Sequence, residues 1–255
     1  MNTEKFLRAY TNLKVHCSPG GHGRIYRANQ VNNGNPVIIK HVVHFPGVRI
    51  EEDKVPTEIL LLLRLQHIFG VCRLLDYCYN DNEYLMVMPY DSKCVDLFDF
   101  IKTDPNEDCC LKLCRNIFSI VLDMFEAGYV HRDLKPENVL VNPDTLKVTL
   151  IDFDAADLFA NTTRCLNGTR IYYPPEYAFE RECKSEPMTV WSLGLVLFEM
   201  VTNDQLFTSI RDIVEKPVRI PDKVRADVKV LLLGMLQKDP AYRFTFDEVR
   251  RHLAM

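Results

Sequence analysis

The run His131-Arg132-Asp133-Leu134-Lys135-Pro136-Glu137-Asn138 places a carboxylate, an ammonium and a carboxamide within one short stretch. That trio suits transfer of a phosphoryl group to a hydroxyl, a reaction that leaves a protein little covalent work. The hydroxyl must be oriented, a metal held and the charge on the migrating group offset. Asp133 can accept a hydrogen bond from a substrate hydroxyl and take its proton, Lys135 can neutralise a γ-phosphate, and Asn138 offers a neutral oxygen to Mg2+. The alternative is a solvated charged loop. The length of the run argues against it, as does its place between a long helical pattern and the strand pair 139–141 and 147–151.

The elements that must hold this loop are legible in the pattern. Segments 13–18, 24–30, 35–43, 74–79 and 84–88 are short and rich in β-formers, with Asn32-Asn33-Gly34-Asn35 as a turn between the second and third. One helix, 54–66, interrupts them, its Leu and Ile dense enough to be buried on most sides. After about residue 92 helices take over. Asp104-Pro105-Asn106-Glu107 reads as a helix start, with Asp104 as cap and Pro105 in the first turn; Gly128 reads as its stop. Further helices are expected near 188–202, 225–238 and 245–254, the last opened by the capping box Thr245-Phe246-Asp247-Glu248. The fold class is therefore α+β and bilobal, a small β-rich lobe with one main helix before a larger, mostly helical lobe, and a ligand site is expected in the cleft between them.

Composition sets outer bounds. Hydrophobic residues at 47% and charged residues at 26% are ordinary for a globular chain, and the net charge of −4 argues against a general electrostatic grip on nucleic acid. Nine cysteines form an odd set without a CxxC pair, so reduced thiols in a cytoplasmic or nuclear protein are expected rather than a disulfide framework or zinc ribbon. No apolar run is long enough for a signal peptide or membrane span, since Ile59 to Leu63 stops at Arg64.

These motifs resemble the eukaryotic protein kinase superfamily over nearly the whole chain, with the 131–138 run as its catalytic loop. The resemblance implies ATP and Mg2+ as cofactors. It makes 1–255 one kinase domain, with an N-lobe of about 1–89, a hinge at about 89–91 and a C-lobe of about 92–255. Asp152-Phe153-Asp154 is similar to the metal-binding Asp-Phe-Gly, so Asp152 and Asn138 would hold the metal, and Asp154 departs from the pattern by replacing glycine. Val37-Ile38-Ile39-Lys40 resembles the third-strand motif. Ile38 would roof the adenine and Lys40 bind the α- and β-phosphates, oriented by an ion pair with Glu58. Ser18, Gly20, Gly21, Gly23 and Ile25 align with the glycine-rich loop over the nucleotide, Ser18 standing in for the first glycine.

Further along, Gly168-Thr169-Arg170-Ile171-Tyr172-Tyr173-Pro174-Pro175-Glu176 resembles the segment closing an activation loop, and Glu176 would form a buried bridge to Arg243. Lys135 with Thr169 is the Ser/Thr rather than Tyr kinase pattern. Thr189 replaces a helix-capping Asp of the family. Arg132 could receive a phosphate from Thr162, Thr163 or Thr169.

Within the superfamily the chain resembles the Pim kinases of the calmodulin-dependent branch, through Val55-Pro56-Thr57-Glu58, Arg73-Leu74-Leu75-Asp76, Asp96 to Ile101 and Gly168 to Glu176. That subgroup implies Met88 as gatekeeper, an adenine gripped by the Pro89 carbonyl and the Asp91 N–H, and a ribose contact at Asp96. It also implies Asp99 and Glu137 as contacts for arginines upstream of the phosphorylated residue. Protein substrates, a monomer, and no nucleic acid or membrane partner are the expectation. The rival reading, motivated by Ser18 and Asp154, is a pseudokinase acting as a nucleotide-binding or scaffold module.

Overall fold

Strand alternation in the first part of the chain sends one set of side chains into a core and the other to a separate face. The computed structural model describes residues 3–17, 23–43, 55–80, 82–159, 162–164 and 167–254. The chain divides into two compact units, Met1–Lys93 and Cys94–Met255.

In the first unit, β1 (Tyr10–Cys17), β2 (Gly23–Gln30), β3 (Pro36–Val43), β4 (Asp76–Tyr79) and β5 (Glu83–Pro89) form an antiparallel sheet in the order β1-β2-β3-β5-β4. The β2–β3 hairpin closes where Gly34 takes φ +72°, a left-handed conformation that glycine adopts without penalty, and Asn33 accepts the Asn35 N–H at 2.8 Å. On one face Ala28, Val37, Ile39, Leu85 and Val87 pack with Phe6 and Tyr10. Phe6 comes from the short helix α1 (Thr3–Leu7), which sequence patterning did not suggest.

The opposite face carries the alternate residues. Ile25 stands across from Lys40, Ile38 across from Met88 and Lys40 across from Met86, so period two sets Ile25, Ile38, Lys40, Met86 and Met88 on one side of the sheet. Helix α2 (Thr57–Leu65) follows Pro56 and buries Glu58 together with Ile59, Leu61, Leu62 and Leu65.

The second unit is mainly helical. Its elements are β6 (Val95–Asp96), α3 (Leu97–Ile101), α4 (Glu107–Glu126), β7 (Tyr129–Val130), β8 (Val139–Asn142), β9 (Lys147–Leu150), β10 (Asp157–Leu158), α5 (Pro175–Glu180), α6 (Ser185–Thr202), α7 (Ile210–Glu215), α8 (Ala226–Met235) and α9 (Phe246–Leu253). Strands β6, β8 and β9 form one small sheet and β7 pairs with β10.

Helix α4 begins later than the sequence suggests. Its cap is Asn106, which accepts the Cys109 N–H at 2.9 Å, whereas Asp104 sits at φ +55° and cannot start a helix. Gly128 at φ +87° ends α4 where expected. The capping box of α9 is formed, with Thr245 and Glu248 each accepting from the other's backbone. Helix α6 is apolar nearly all round and buried over most of its length, with Trp191 fully inaccessible.

Thr189 is not a cap. It lies inside α6, and its hydroxyl donates back to the Ser185 carbonyl at 2.7 Å, so this side chain serves its own helix rather than the loop at 131–138. Among the described residues no helix is long and apolar enough to cross a membrane.

Candidate active site

In the second unit a strand–loop–strand passage from β7 to β8 presents Asp133, which is 8% exposed. Its Oδ1 accepts the Thr169 N–H at 2.6 Å, and its Oδ2 accepts from Asn138 Nδ2 at 2.9 Å and lies 3.0 Å from Lys135 Nζ. Lys135 Nζ also donates to Thr169 Oγ1 at 2.7 Å, so Thr169 meets the acid through its backbone and the ammonium through its hydroxyl. Gly168 allows this approach. A Cβ built there would stand 2.6 Å from the Arg132 carbonyl oxygen and 2.9 Å from Asp133 Oδ1.

Asn138 spends both amide hydrogens on Asp133, one on the side chain and one on the backbone carbonyl at 2.9 Å, which turns its Oδ1 to the other side. The loop is held from behind by His131. Its Nε2 meets the Ile151 carbonyl at 3.0 Å and its ring packs edge-on against Phe153 at 4.9 Å. Burial holds the His131 imidazole below its ordinary pKa, although Asp133 and Asp152 pull the other way, so the ring stays neutral.

Asp152 follows β9 at φ +63°, exposed, while its neighbour Phe153 is fully buried. The opposite burial of these two neighbours fixes how the acid is presented. Asp154 is exposed as well.

Mg2+ takes one or two protein oxygens and completes its shell with water and phosphate. Asn138 Oδ1 and the Asp152 carboxylate supply two such hard oxygens. Among the described residues no cluster of three His, Cys, Asp or Glu side chains could hold an ion by itself. When bound, the cation would neutralise phosphate charge.

In the first unit Lys40 Nζ lies 2.7 Å from Glu58 Oε1, the partner named from sequence. Tyr84 donates to Glu58 Oε2 at 3.0 Å, so both carboxylate oxygens are fixed. Cys72 is buried beside this pair; burial foremost, with help from Glu58, pushes its thiol up to about 12. Ile25, Ile38 and Met88 share the Lys40 face of the sheet. Gly23 is the first residue of β2, across from Val42. Ser18, Gly20 and Gly21 lie outside the described residues.

Pro89 ends β5, and the Tyr90 N–H reaches the Pro36 carbonyl at 3.2 Å on the β3 side. Backbone groups alternate in direction along a strand, so the Pro89 carbonyl turns to the side where β4 has already ended. The Asp91 side chain accepts the Lys93 N–H at 2.9 Å.

Back in the second unit, Asp96 caps α3 by accepting the Asp99 N–H at 2.7 Å. Asp99 is not idle: Lys102 Nζ lies 2.6 Å from its Oδ1 and 4.1 Å above the Phe98 ring. Glu137 is exposed. Arg132 Nη1 pairs with Asp157 at 2.9 Å, and its Nη2 is 3.5 Å from the hydroxyl of buried Thr163.

Glu176 and Arg243 form the buried bidentate bridge, at 2.8 Å on both arms. The other Arg243 hydrogens go to the carbonyls of Pro187, Gln237 and Lys238, at 2.9, 2.9 and 3.1 Å.

Sequence reasoning missed Tyr84, Lys102 and, above all, Glu199. This glutamate is 7% exposed within apolar α6 and accepts the Tyr172 hydroxyl at 2.8 Å. Burial raises its pKa from 4.5 to about 7; the Tyr172 hydrogen bond lowers it, and Glu137 and Asp204 raise it further. A lone acid in the apolar run 193–200 was the available signal.

The comparisons with known proteins agree with this geometry. A family model described as "Protein kinase domain" matches residues 14–255. The chain is similar to serine/threonine-protein kinase pim-2 of Danio rerio, 32% identical over 98% of the chain and 85% of that protein. It is also similar to serine/threonine-protein kinase prk-2 of Caenorhabditis elegans, 32% identical over 97% of the chain and 58% of that protein. Serine/threonine-protein kinase 1 of African swine fever virus (strain Badajoz 1971 Vero-adapted) is 26% identical over 91% of the chain and 76% of its own length. The chain therefore belongs to the protein kinase domain family, in its serine/threonine branch.

Proposed function

We propose that this chain transfers the γ-phosphate of ATP to serine or threonine hydroxyls that lie near arginines in protein substrates. The convergence on Asp133 carries the reading. A carboxylate that already accepts one N–H, one amide and one ammonium is fixed in direction, so it can orient an incoming hydroxyl and receive its proton without reorganising. Lys135, shared between Asp133 and Thr169, is placed to offset charge on the migrating group while Thr169 keeps it from collapsing onto the acid alone. Asn138 and Asp152 are the metal oxygens.

Lys40, aligned by Glu58 and Tyr84, serves the α- and β-phosphates. Ile25, Ile38 and Met88 are the apolar surface for adenine, and the Pro89 carbonyl and the Asp91 N–H would meet its edge. Asp96 retains a second carboxylate oxygen for the ribose. The domain reading that goes with these roles is an N-lobe of about 1–89, a hinge at about 89–91 and a C-lobe of about 92–255.

Preference for arginine rests on acids near the acceptor site. Glu137 is exposed, so its carboxylate is open to a substrate guanidinium. Asp99 supplies another acid once Lys102 is displaced.

Incubation with Mg-ATP and an arginine-rich serine peptide tests the proposal, with Asp152→Asn and Asp133→Asn as controls. Transfer by the parent, lost in both variants, is expected. A folded parent that binds nucleotide but moves no phosphate would overturn the reading in favour of a nucleotide-binding or scaffold module.

A further inference from the structure

A pocket of about 300 Å³ opens on the second unit between the segment after Thr169, helix α5 and helix α7. Pro174, Ala178, Ile210 and Ile213 give it apolar walls, and Tyr173 and Tyr177 add ring surface because their hydroxyls are spent on the Gly168 and Arg164 carbonyls. Two cations complete it. Arg170 and Arg181 both line the pocket, both are exposed, and no ion pair engages either among the described residues. None of the lining residues is acidic. Of the acids nearby, Asp212 of α7 is engaged with Thr208 and Lys216 and Glu182 with Arg164, while Glu180 at the end of α5 is exposed.

Two guanidinium groups without an ion pair among the described residues thus border one apolar hollow, in a chain whose net charge is −4. Arg181 also occupies the left-handed residue ending α5, at φ +56°, where glycine would sit at lower conformational cost.

We propose that this pocket binds an acidic, apolar-flanked stretch of the protein substrate: a carboxylate held by Arg170 and Arg181 with a neighbouring apolar side chain in the hollow. An isolated anion would leave the walls of Ile210, Ile213 and Pro174 unused, which is why a peptide side-chain pair rather than a free phosphate fits. Arg guanidinium forks match carboxylate geometry. The identity of the partner rests on the transfer reading. Arg170 directly follows Thr169, whose N–H and hydroxyl contact Asp133 and Lys135, so a segment presented to Asp133 passes close to the pocket. The enzyme would then read two signatures on one substrate, arginines at Glu137 and an acid at this pocket.

Fluorescence polarisation of labelled peptides on the full chain tests the site without requiring turnover. Three peptides share an arginine-rich half with alanine at the acceptor position; their other half carries Glu-Leu, Gln-Leu or phosphoserine-Leu. The Glu-Leu peptide is expected to bind about tenfold more tightly than the Gln-Leu peptide, two Arg–carboxylate contacts each contributing a few-fold. Arg181→Gly, which suits the left-handed backbone and so preserves the fold, should remove most of that preference. Arg181→Glu should reverse it. Equal binding of the Glu and Gln peptides overturns the proposal, as does a preference that survives Arg181→Gly, or tight binding confined to the phosphoserine peptide. Phosphorylation of a serine peptide lacking acids is scored separately. Its failure counts against the transfer reading and leaves the polarisation result standing.

Discussion

Replacing Glu199 with glutamine removes an ionisable group from inside α6 while keeping an acceptor for the Tyr172 hydroxyl. The acid's pKa is raised in the folded chain, from 4.5 to about 7, first by burial. Folding therefore favours its protonated form. The stability this proton contributes is complete below pH 4.5 and is lost as pH rises through about 7, because between those values the native state holds more protons than the unfolded state. A gap of roughly 2.5 in pKa corresponds to about 3 kcal/mol. Glutamine has no such term. The variant should thus match the parent near pH 4.5 and become progressively more stable than it, by about 3 kcal/mol, towards pH 8. Trp191 is the sole tryptophan, fully buried in the same helix, so urea unfolding followed by its fluorescence reports on this unit directly. A stability difference between parent and variant that stays flat across the range refutes the account of Glu199.

Other perturbations follow from the same geometry. Arg243→Ala leaves the buried Glu176 carboxylate without its cation and should cost about 3–5 kcal/mol in urea melts. Lys102→Ala frees the exposed Asp99 carboxylate and should lower the KM for arginine-rich peptides a few-fold with kcat unchanged, since an exposed pair of this kind is weak, about 0.2–1 kcal/mol. Tyr84→Phe removes the second bond to Glu58 and should raise the KM for ATP while costing about 1 kcal/mol in stability. Unchanged KM values in either case would show that the named contact does not bear on binding.

The 131–138 loop was legible because its polar residues are contiguous and bounded by a long amphipathic helix and two strands. The β-rich first unit was legible because period-two patterns and the Asn-Gly turn act locally. Helices α1, α3, α5 and α7 were not, since five or six residues are too few to display a helical stripe. The start of α4 was placed two residues early because Asp104 and Asn106 are equally good caps in composition; the left-handed turn at Asp104 decides between them. Helix α6 was expected to begin near residue 188, whereas it starts at Ser185, so Thr189, which stands in for the family's helix-capping Asp, lies inside it. Glu199 could not be tied to Tyr172 or Glu137 from spacing, because helix packing and not chain proximity brings them together.

Arg243 uses every N–H it has, and its five acceptors come from three separate stretches, at residues 176, 187 and 237–238. No one of those stretches can swing out without stranding a charge in the interior. Local fraying there is thereby converted into an all-or-none event. Amides near both ends of this arginine's reach should exchange with solvent at one common, slow rate, even when the outer turns of the helices breathe.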